Sequence, residues 1–467
     1  MWAVLLAAFL AVSASAQSKA RIVRLSEVQG TVQIGRAAGD GFDKAFINLP
    51  VIEGSRLKTG KDGRAEVEFE DGGALRLAPD SEVAFARLAL GDDGQKLSTV
   101  QLVSGTVYAD LHPKKAGKNP GDNFLLNFAR DSVSVDEAAH FRVELGGTTK
   151  ATVAVFKGKV SASSPSGQVD VVEKHSATMV FAPGELGDKH VANDDLANDA
   201  PANDAPANDD LAKKPTFTIA KNFDEDPSDA WDHQQTEYHD RYASAAGSSI
   251  SSPYSYGMSD LNYYGSFTML AGYGSVWQPY FTGAGWSPFQ DGGWAFYPGS
   301  GYMFVSGYPW GWMPYNYGNW AFVSGFGWAW QPGYWNSSYG LPQVVNPPVG
   351  TKVPTPPASG HQMVMVGRGL AANPAPGAAH RLTISPGSAG FGVPRGSVSH
   401  LDRVAKTMER TSRPVVITAA QSVPSAGPST GFGSSSTSMN SSATPGENSM
   451  ESMSAAHRSA GSTSRPH

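Results

Sequence analysis

Between residues 21 and 182 apolar and polar side chains alternate in short runs. The clearest are Ile22-Val23-Arg24-Leu25, Thr31-Val32-Gln33-Ile34, Ala65-Glu66-Val67-Glu68-Phe69, Ala74-Leu75-Arg76-Leu77, Glu82-Val83-Ala84-Phe85 and Val100-Gln101-Leu102-Val103. Phe124 to Phe128, Phe141-Arg142-Val143-Glu144-Leu145, Thr152 to Phe156 and Val169 to Val172 continue the pattern. A period of two sends successive side chains to opposite faces of a strand, so each run predicts one apolar and one polar face. Turn signals such as Asp71-Gly72-Gly73 and Lys157-Gly158-Lys159 separate the runs. Many short strands at this spacing predict an all-β domain over 21–182, a β-sandwich or β-roll, and about 160 residues suffice to bury a core.

A second pattern occupies 260–340. Trp286, Pro288, Phe289, Gly292, Trp294, Phe296, Gly299 and Gly301 recur 26 residues on as Trp312, Pro314, Tyr315, Gly318, Trp320, Phe322, Gly325 and Gly327. A weaker copy upstream (Gly265, Phe267, Met269, Gly272, Gly274, Trp277) repeats at a spacing of 53. Fixed spacing of this kind marks tandem units. Within them Trp294-Ala295-Phe296, Trp320-Ala321-Phe322 and Trp328-Ala329-Trp330 alternate ring and small residue, with glycines between the runs. Each unit is predicted to be a β-hairpin, and three stacked hairpins a small meander.

The segment 277–335 holds nine of the chain's eleven tryptophans, seven tyrosines and six phenylalanines. These 22 rings in 59 residues exceed what one face of three hairpins can bury, so some are expected to pack as core and others to stand exposed as flat platforms. The candidate ligand-binding platforms are Trp277, Tyr280, Trp286, Trp310, Trp312, Tyr315, Trp328 and Trp335. Their class of ligand would be a glycan, whose CH-rich faces stack on rings, or an envelope protein docking on the apolar patch.

The remaining segments are read from composition. Residues 1–16 form an apolar leader ending in Ala14-Ser15-Ala16, the pattern of a secretory signal peptide, which predicts a periplasmic or secreted protein. Ala-Asn-Asp recurs at 192, 197, 202 and 207, so 191–214 is predicted to be a disordered acidic linker. In the polar connecting segment 222–258, Pro227 to Arg241 predicts a short helix with Ser228 as its cap. Residues 341–467, rich in Pro, Ser and Gly, are predicted to be a disordered tail.

Composition removes several chemistries. Cysteine is absent, which excludes disulfides, thiolate metal sites and Cys nucleophiles. The net charge of −6 and the lack of a basic stripe give no sign of nucleic-acid binding. No catalytic triad, phosphate loop or dinucleotide fingerprint is present. His140, His175 and His190 stand isolated, whereas His233, Glu237, His239 and Asp240 cluster in the predicted helix. That cluster is read as a polar helix face in preference to a metal site. Asp291 is the only charged residue of 277–335, and Tyr317 stands at its repeat-equivalent position, so no pair of carboxylates is available for glycoside hydrolysis. The expectation is a non-enzymatic chain with no cofactor and no metal.

The first domain carries a set of turn and core motifs: Gly30-Thr31-Val32, Gly54-Ser55-Arg56-Leu57-Lys58-Thr59-Gly60, Gly63-Arg64-Ala65-Glu66-Val67, Asp71-Gly72 and Leu75-Arg76-Leu77-Ala78-Pro79-Asp80-Ser81. With Leu102-Val103-Ser104-Gly105-Thr106-Val107 and Val155-Phe156-Lys157-Gly158-Lys159-Val160, the set resembles the FecR-like periplasmic domain. The family pattern is one of turns and core positions, not of catalytic groups. Many members carry Gly-Thr before the strand at 141–145, where this chain has Ala139-His140. The aromatic repeats are similar to a Trp/Tyr-rich domain found after FecR-like domains in bacterial envelope proteins, on Trp277-Gln278-Pro279-Tyr280, Gly285-Trp286-Ser287-Pro288-Phe289, Pro309-Trp310-Gly311-Trp312-Met313-Pro314-Tyr315 and Gly327-Trp328-Ala329-Trp330-Gln331-Pro332-Gly333. Together these imply an exported envelope binding or scaffold protein. The alternative is a FecR-like sensor or regulator working with a membrane partner.

Overall fold

The alternating runs of the first domain form strands where the pattern places them, and the strands build two nine-stranded sheets. The computed structural model describes residues 21–36, 41–114, 121–147, 149–165, 167–181, 217–243, 256–298, 300–335, 341–358, 363–371 and 381–418. The leader at 1–16 and the linker at 191–214 lie outside the described residues. The first sheet is ordered 218–220, 176–180, 150–157, 139–146, 106–111, 74–77, 64–68, 23–29, 50–51. The second runs 167–172, 159–164, 131–135, 123–128, 96–104, 82–90, 56–59, 32–35, 43–44. Pairing is antiparallel except between Asn123–Phe128 and Lys96–Ser104.

Both sheets turn their apolar faces into one core that includes Leu25, Val67, Leu75, Val83, Val100, Leu126, Phe141 and Val153. The all-β expectation holds. The pattern missed the strands Arg56–Thr59, Thr106–Leu111, Asp131–Val135, Lys159–Ser164 and Ser176–Val180. The chain passes repeatedly between the sheets, through Gly30-Thr31 and through Gly105 and Gly158 alone, with each glycine at positive φ. A Cβ there would overlap Asp62, Asp80 and Ala138 backbone oxygens respectively, so the corner needs glycine for space as well as for conformation.

The three predicted hairpins are present. Gly265–Leu270 pairs with Gly274–Pro279, Gly292–Tyr297 with Gly301–Ser306, and Tyr317–Val323 with Gly327–Trp335. They do not stack as one meander. The outer two join through Trp277 and Trp330 and gain Gln343–Val345, giving a five-stranded sheet. The middle hairpin separates into a three-stranded sheet with Met363–Val366. Its two faces enter different cores. Ala295, Tyr297, Met303 and Val305 complete the core of the first domain, whereas Trp294 and Phe304 belong to the aromatic core. The first domain and the repeats therefore share this hairpin.

The recurring glycine at 265, 292 and 318 has a steric cause. At each, an added Cβ would overlap the facing strand, at Gly318 the Gln331 carbonyl oxygen with φ at 63°. Gly318→Ala is expected to cost about 1–3 kcal/mol in thermal or urea unfolding from backbone strain alone. Gly325→Ala, also at positive φ but with open space around it, should cost less. Equal losses at the two sites would remove the steric explanation.

Four helices complete the described residues: α1 (Asp229–Ala243), α2 (Met258–Tyr264), α3 (Trp312–Asn316) and α4 (Leu401–Thr411). The expected helix at 227–241 is α1, displaced by two residues, and the Ser228 carbonyl accepts its first bond, from Asp232. The expectation of a disordered tail from 341 is corrected over part of its length. Gln343–Val345 and Met363–Val366 extend the repeat sheets, Arg381–Ile384 pairs with Val415–Thr418, and α4 buries Leu401, Ala405 and Met408 against the aromatic core. The strands among these segments are too short to show a period of their own; α4 does carry one, with Leu401, Val404, Ala405 and Met408 on one face, but the Pro/Ser/Gly-rich composition around it outweighs that signal. Residues 419–467 lie outside the described residues. Among the described residues no helix is long and apolar enough to cross a membrane.

Candidate functional site

The polar faces of the first-sheet strands do not meet water. Register aligns them in two cross-strand rows: Glu27, Glu66, Arg76, Tyr108 and Arg142 in one, and Arg24, Glu68, Ala74, Asp110 and His140 in the other. α1, α2 and the segment around Arg395 cover both rows. Arg24 pairs with Glu68 at 3.1 Å and with Asp260 of α2. Arg76 bridges Glu66 at 2.8 Å and Asp232 of α1 at 2.7 Å. Arg142 holds Asp229 at 2.6 Å, and the Tyr108 hydroxyl donates to the same carboxylate. Arg395 closes the seam on Glu66 at 2.6 Å, with Glu27 and Asp260 at 3.4 and 3.3 Å.

Burial pulls these carboxyls toward the neutral form, and the number of nearby cations decides the outcome. At Glu66 burial is outweighed by His239, Arg395 and Arg76, which hold it well below the usual carboxylate range. At Asp232 burial is likewise outweighed, by Arg76 and His140. At Glu27 and Glu68 burial wins over Arg395 and Arg24 respectively, and both carboxyls are pushed up. The sequence showed these residues as an outward polar face but carried no sign that a second layer lay over them.

The eight predicted platforms divide. Trp277, Trp310, Trp312 and Tyr315 are core: all four are buried, and Tyr308 stacks on Trp310 at 4.9 Å with Trp277 at 4.8 Å. As placed they present no face to a ligand, which corrects the expectation of exposure. The surplus of rings over one hairpin face is absorbed by α2, α3, α4 and the 384–398 segment. Tyr280 is half-buried, its hydroxyl pushed up by burial and then by Asp402 and Glu409 of α4. The Trp335 side chain lies outside the described residues.

Trp286 and Trp328 are buried in the same core, at 6% and 4% exposure, so the expectation of open platforms is corrected for them as well, but both line a groove. It has a volume of about 640 Å³ and is walled by Trp286, Phe289, Phe322 and Trp328 on one side and by the 348–354 strap on the other. The rings brace one another edge to face, Trp328 on Phe322 at 5.6 Å and on Phe289 at 6.0 Å, and Trp286 donates its indole N–H to the Tyr308 hydroxyl at 2.9 Å. Thr351 turns the strap by bonding the Pro348 carbonyl. Ser287, Gln290, Thr351 and Lys352 supply the polar lining, and among the described residues no Asp or Glu lines the groove. Phe289, Phe322 and the strap were missed as site residues. Phe322 read as one more repeat ring, and the strap fell in the predicted tail.

Asp291, the lone acid of the repeats, is structural. It is buried and accepts hydrogen bonds from the Arg368 backbone and guanidinium and from the Tyr308 hydroxyl. Burial works against its ionisation, but these donors hold its carboxyl below the ordinary range. Asp291 thereby fastens the returning chain at 368 to the start of the middle hairpin.

No curated protein is significantly similar to this chain. Two crystal structures of a candidate anti-sigma factor from Parabacteroides distasonis are similar at 14% and 13% identity, each with a TM-score of 0.26. They cover 38% and 40% of this chain. This chain spans 63% of the first, less than two thirds of its length, and 71% of the second. Residues 258–352 match a Family of unknown function (DUF6600), and residues 55–161 match the FecR protein family.

Proposed function

We propose that the chain is a non-enzymatic, FecR-like regulator of the cell envelope that senses a glycan in the Trp286–Trp328 groove. The observation that carries this reading is the groove itself: concave, walled by four aromatic rings, rimmed by amide, hydroxyl and ammonium groups, and lined by no carboxylate among the described residues. The half-buried Phe322 ring and the groove-side margins of the buried Trp286, Phe289 and Trp328 meet the CH surface of a sugar, while Gln290, Thr351 and Lys352 can bond its hydroxyls. A hydrolase would need a pair of acids in the same place, and among the described residues none lines the groove. The FecR match over 55–161 favours regulation. The groove lies on repeats that share a core with that region, so occupancy has a packed route to it. In this reading the protein is exported, and a membrane protein carries the signal onward.

The test is a sacculus pull-down with the full chain, together with tryptophan emission during titration of soluble glycan fragments. Wild type should pellet and shift its emission. Phe322→Ala, which changes a half-buried ring at the groove wall, should weaken binding about tenfold. If wild type neither pellets nor shifts, the glycan reading fails and cross-linking for an envelope protein partner becomes the next measurement.

A further inference from the structure

We propose that His140, Asp232 and His233 form a binding site for one divalent transition-metal ion of the zinc type, separate from the groove and independent of what the groove binds. His140 lies on the first-sheet strand Ala139–Gly146, and Asp232 and His233 lie in the first turn of α1. One donor atom from each comes within 4.8 Å of the others. Two imidazole nitrogens and one carboxylate oxygen suit zinc, nickel or copper(II), and are a poor set for calcium or magnesium, which take oxygen ligands.

The surroundings fit that use. Asp232 divides its two oxygens: Oδ1 accepts from Arg76 at 2.7 Å, and Oδ2 faces His140 Nε2 at 2.6 Å. Arg76 is itself held by Thr236 and Glu66, so the carboxylate is oriented from behind, as ligating carboxylates usually are. Phe156 packs on both imidazoles, at 5.0 Å from His140 and 5.5 Å from His233, and Phe223 packs on Phe156. This apolar collar closes one side. His233 is exposed on the other, which gives the ion an entry and leaves a coordination position for water. The His140–Asp232 pair alone would not require His233 beside it, and among the described residues the His233 ring makes ring contacts but no hydrogen bond.

Metal–ligand bonds of about 2 Å place tetrahedral donors about 3.3 Å apart. The His140–Asp232 separation must open by less than about 1 Å, and the exposed His233 side chain must swing inward. The bound ion would staple α1 to the first sheet. The partners of His140 lie 92 and 93 residues away, so the site has no local spacing motif.

The experiment is calorimetric titration of zinc into the full chain, stripped with chelator and free of any histidine tag, with thermal unfolding read alongside. Wild type should bind one zinc at this site and unfold at higher temperature in its presence. His233→Ala, at an exposed position, should fold normally, bind zinc at least about tenfold more weakly and lose the thermal shift. His140→Asn should do the same if it folds, and His233→Ala decides the matter if it does not. Absence of zinc binding by wild type, or unchanged affinity and thermal shift in His233→Ala, overturns the site.

Discussion

Glu66→Gln is expected to destabilise the full chain by about 3–5 kcal/mol, measured as a lowered urea midpoint. Glu66 is fully buried and receives Arg76 at 2.8 Å, Arg395 at 2.6 Å, His239 at 3.0 Å and the Ser26 hydroxyl at 2.6 Å. Removing its charge leaves two guanidiniums, already stripped of water, short of a counter-charge. The stabilisation lost belongs to the broken set and is not the net worth of the ion pairs, because both partners gave up hydration to enter the seam. The pair Lys58–Glu82, at 3.4 Å with Lys58 exposed and Glu82 half-buried, is the comparison, and Glu82→Gln should cost less than about 1 kcal/mol. A Glu66→Gln midpoint as close to wild type as that of Glu82→Gln would mean that the seam is not a fastening.

Trp310→Ala should cost about 3–5 kcal/mol and should do so in a single transition. Its ring is fully buried between Tyr308 and Trp277, with Trp286, Trp320 and Tyr315 about it, and its indole N–H donates to the Ala389 carbonyl at 2.7 Å. Truncation opens a cavity and leaves that carbonyl without its donor, and both losses fall in the aromatic core. The middle hairpin has Trp294 and Phe304 in that core and Ala295, Tyr297, Met303 and Val305 in the other. Loosening one face should therefore loosen the other. Near-ultraviolet dichroism follows the rings and far-ultraviolet dichroism the sheets; the two curves should move together. A low-temperature loss of ring signal with an unshifted sheet transition would show that the hairpin does not couple the cores.

Much of the fold was legible because a strand writes its two faces into the sequence every second residue. Glu66, Val67 and Glu68 show which side of a sheet each occupies. They do not show what lies over the polar side, and here a buried guanidinium–carboxylate seam reads like a solvated face. The same limit misplaced the rings. Alternation identified Trp294 and Trp320 as one-faced, but the surplus seemed to demand exposure because α4 and the 384–398 segment, which cover it, looked like tail. The middle hairpin was read as having one buried face when both are buried, since Ala295 and Val305 are small enough to pass for spacers. Of the metal-ion candidates, His233 stood in a recognisable polar cluster. His140 joins it only through the pairing of Ala139–Gly146 with its sheet, which brings distant positions together without any spacing signal.

Arg395 has a consequence for the order in which the molecule can be completed. It reaches Glu66 across 329 residues of chain. Glu27 gains Arg395 late, and of the described cations on Glu66 only Arg76 lies within the first 182 residues, so sheets formed from those residues carry an unfinished charge balance until the segment near 395 returns. Contacts this distant in sequence close slowly, because the entropy of the intervening chain must be lost before the contact forms. The last major cation of the seam thus acts as a check on completeness: a chain cut short before it could form both sheets and still lack the group that makes their covered face tolerable.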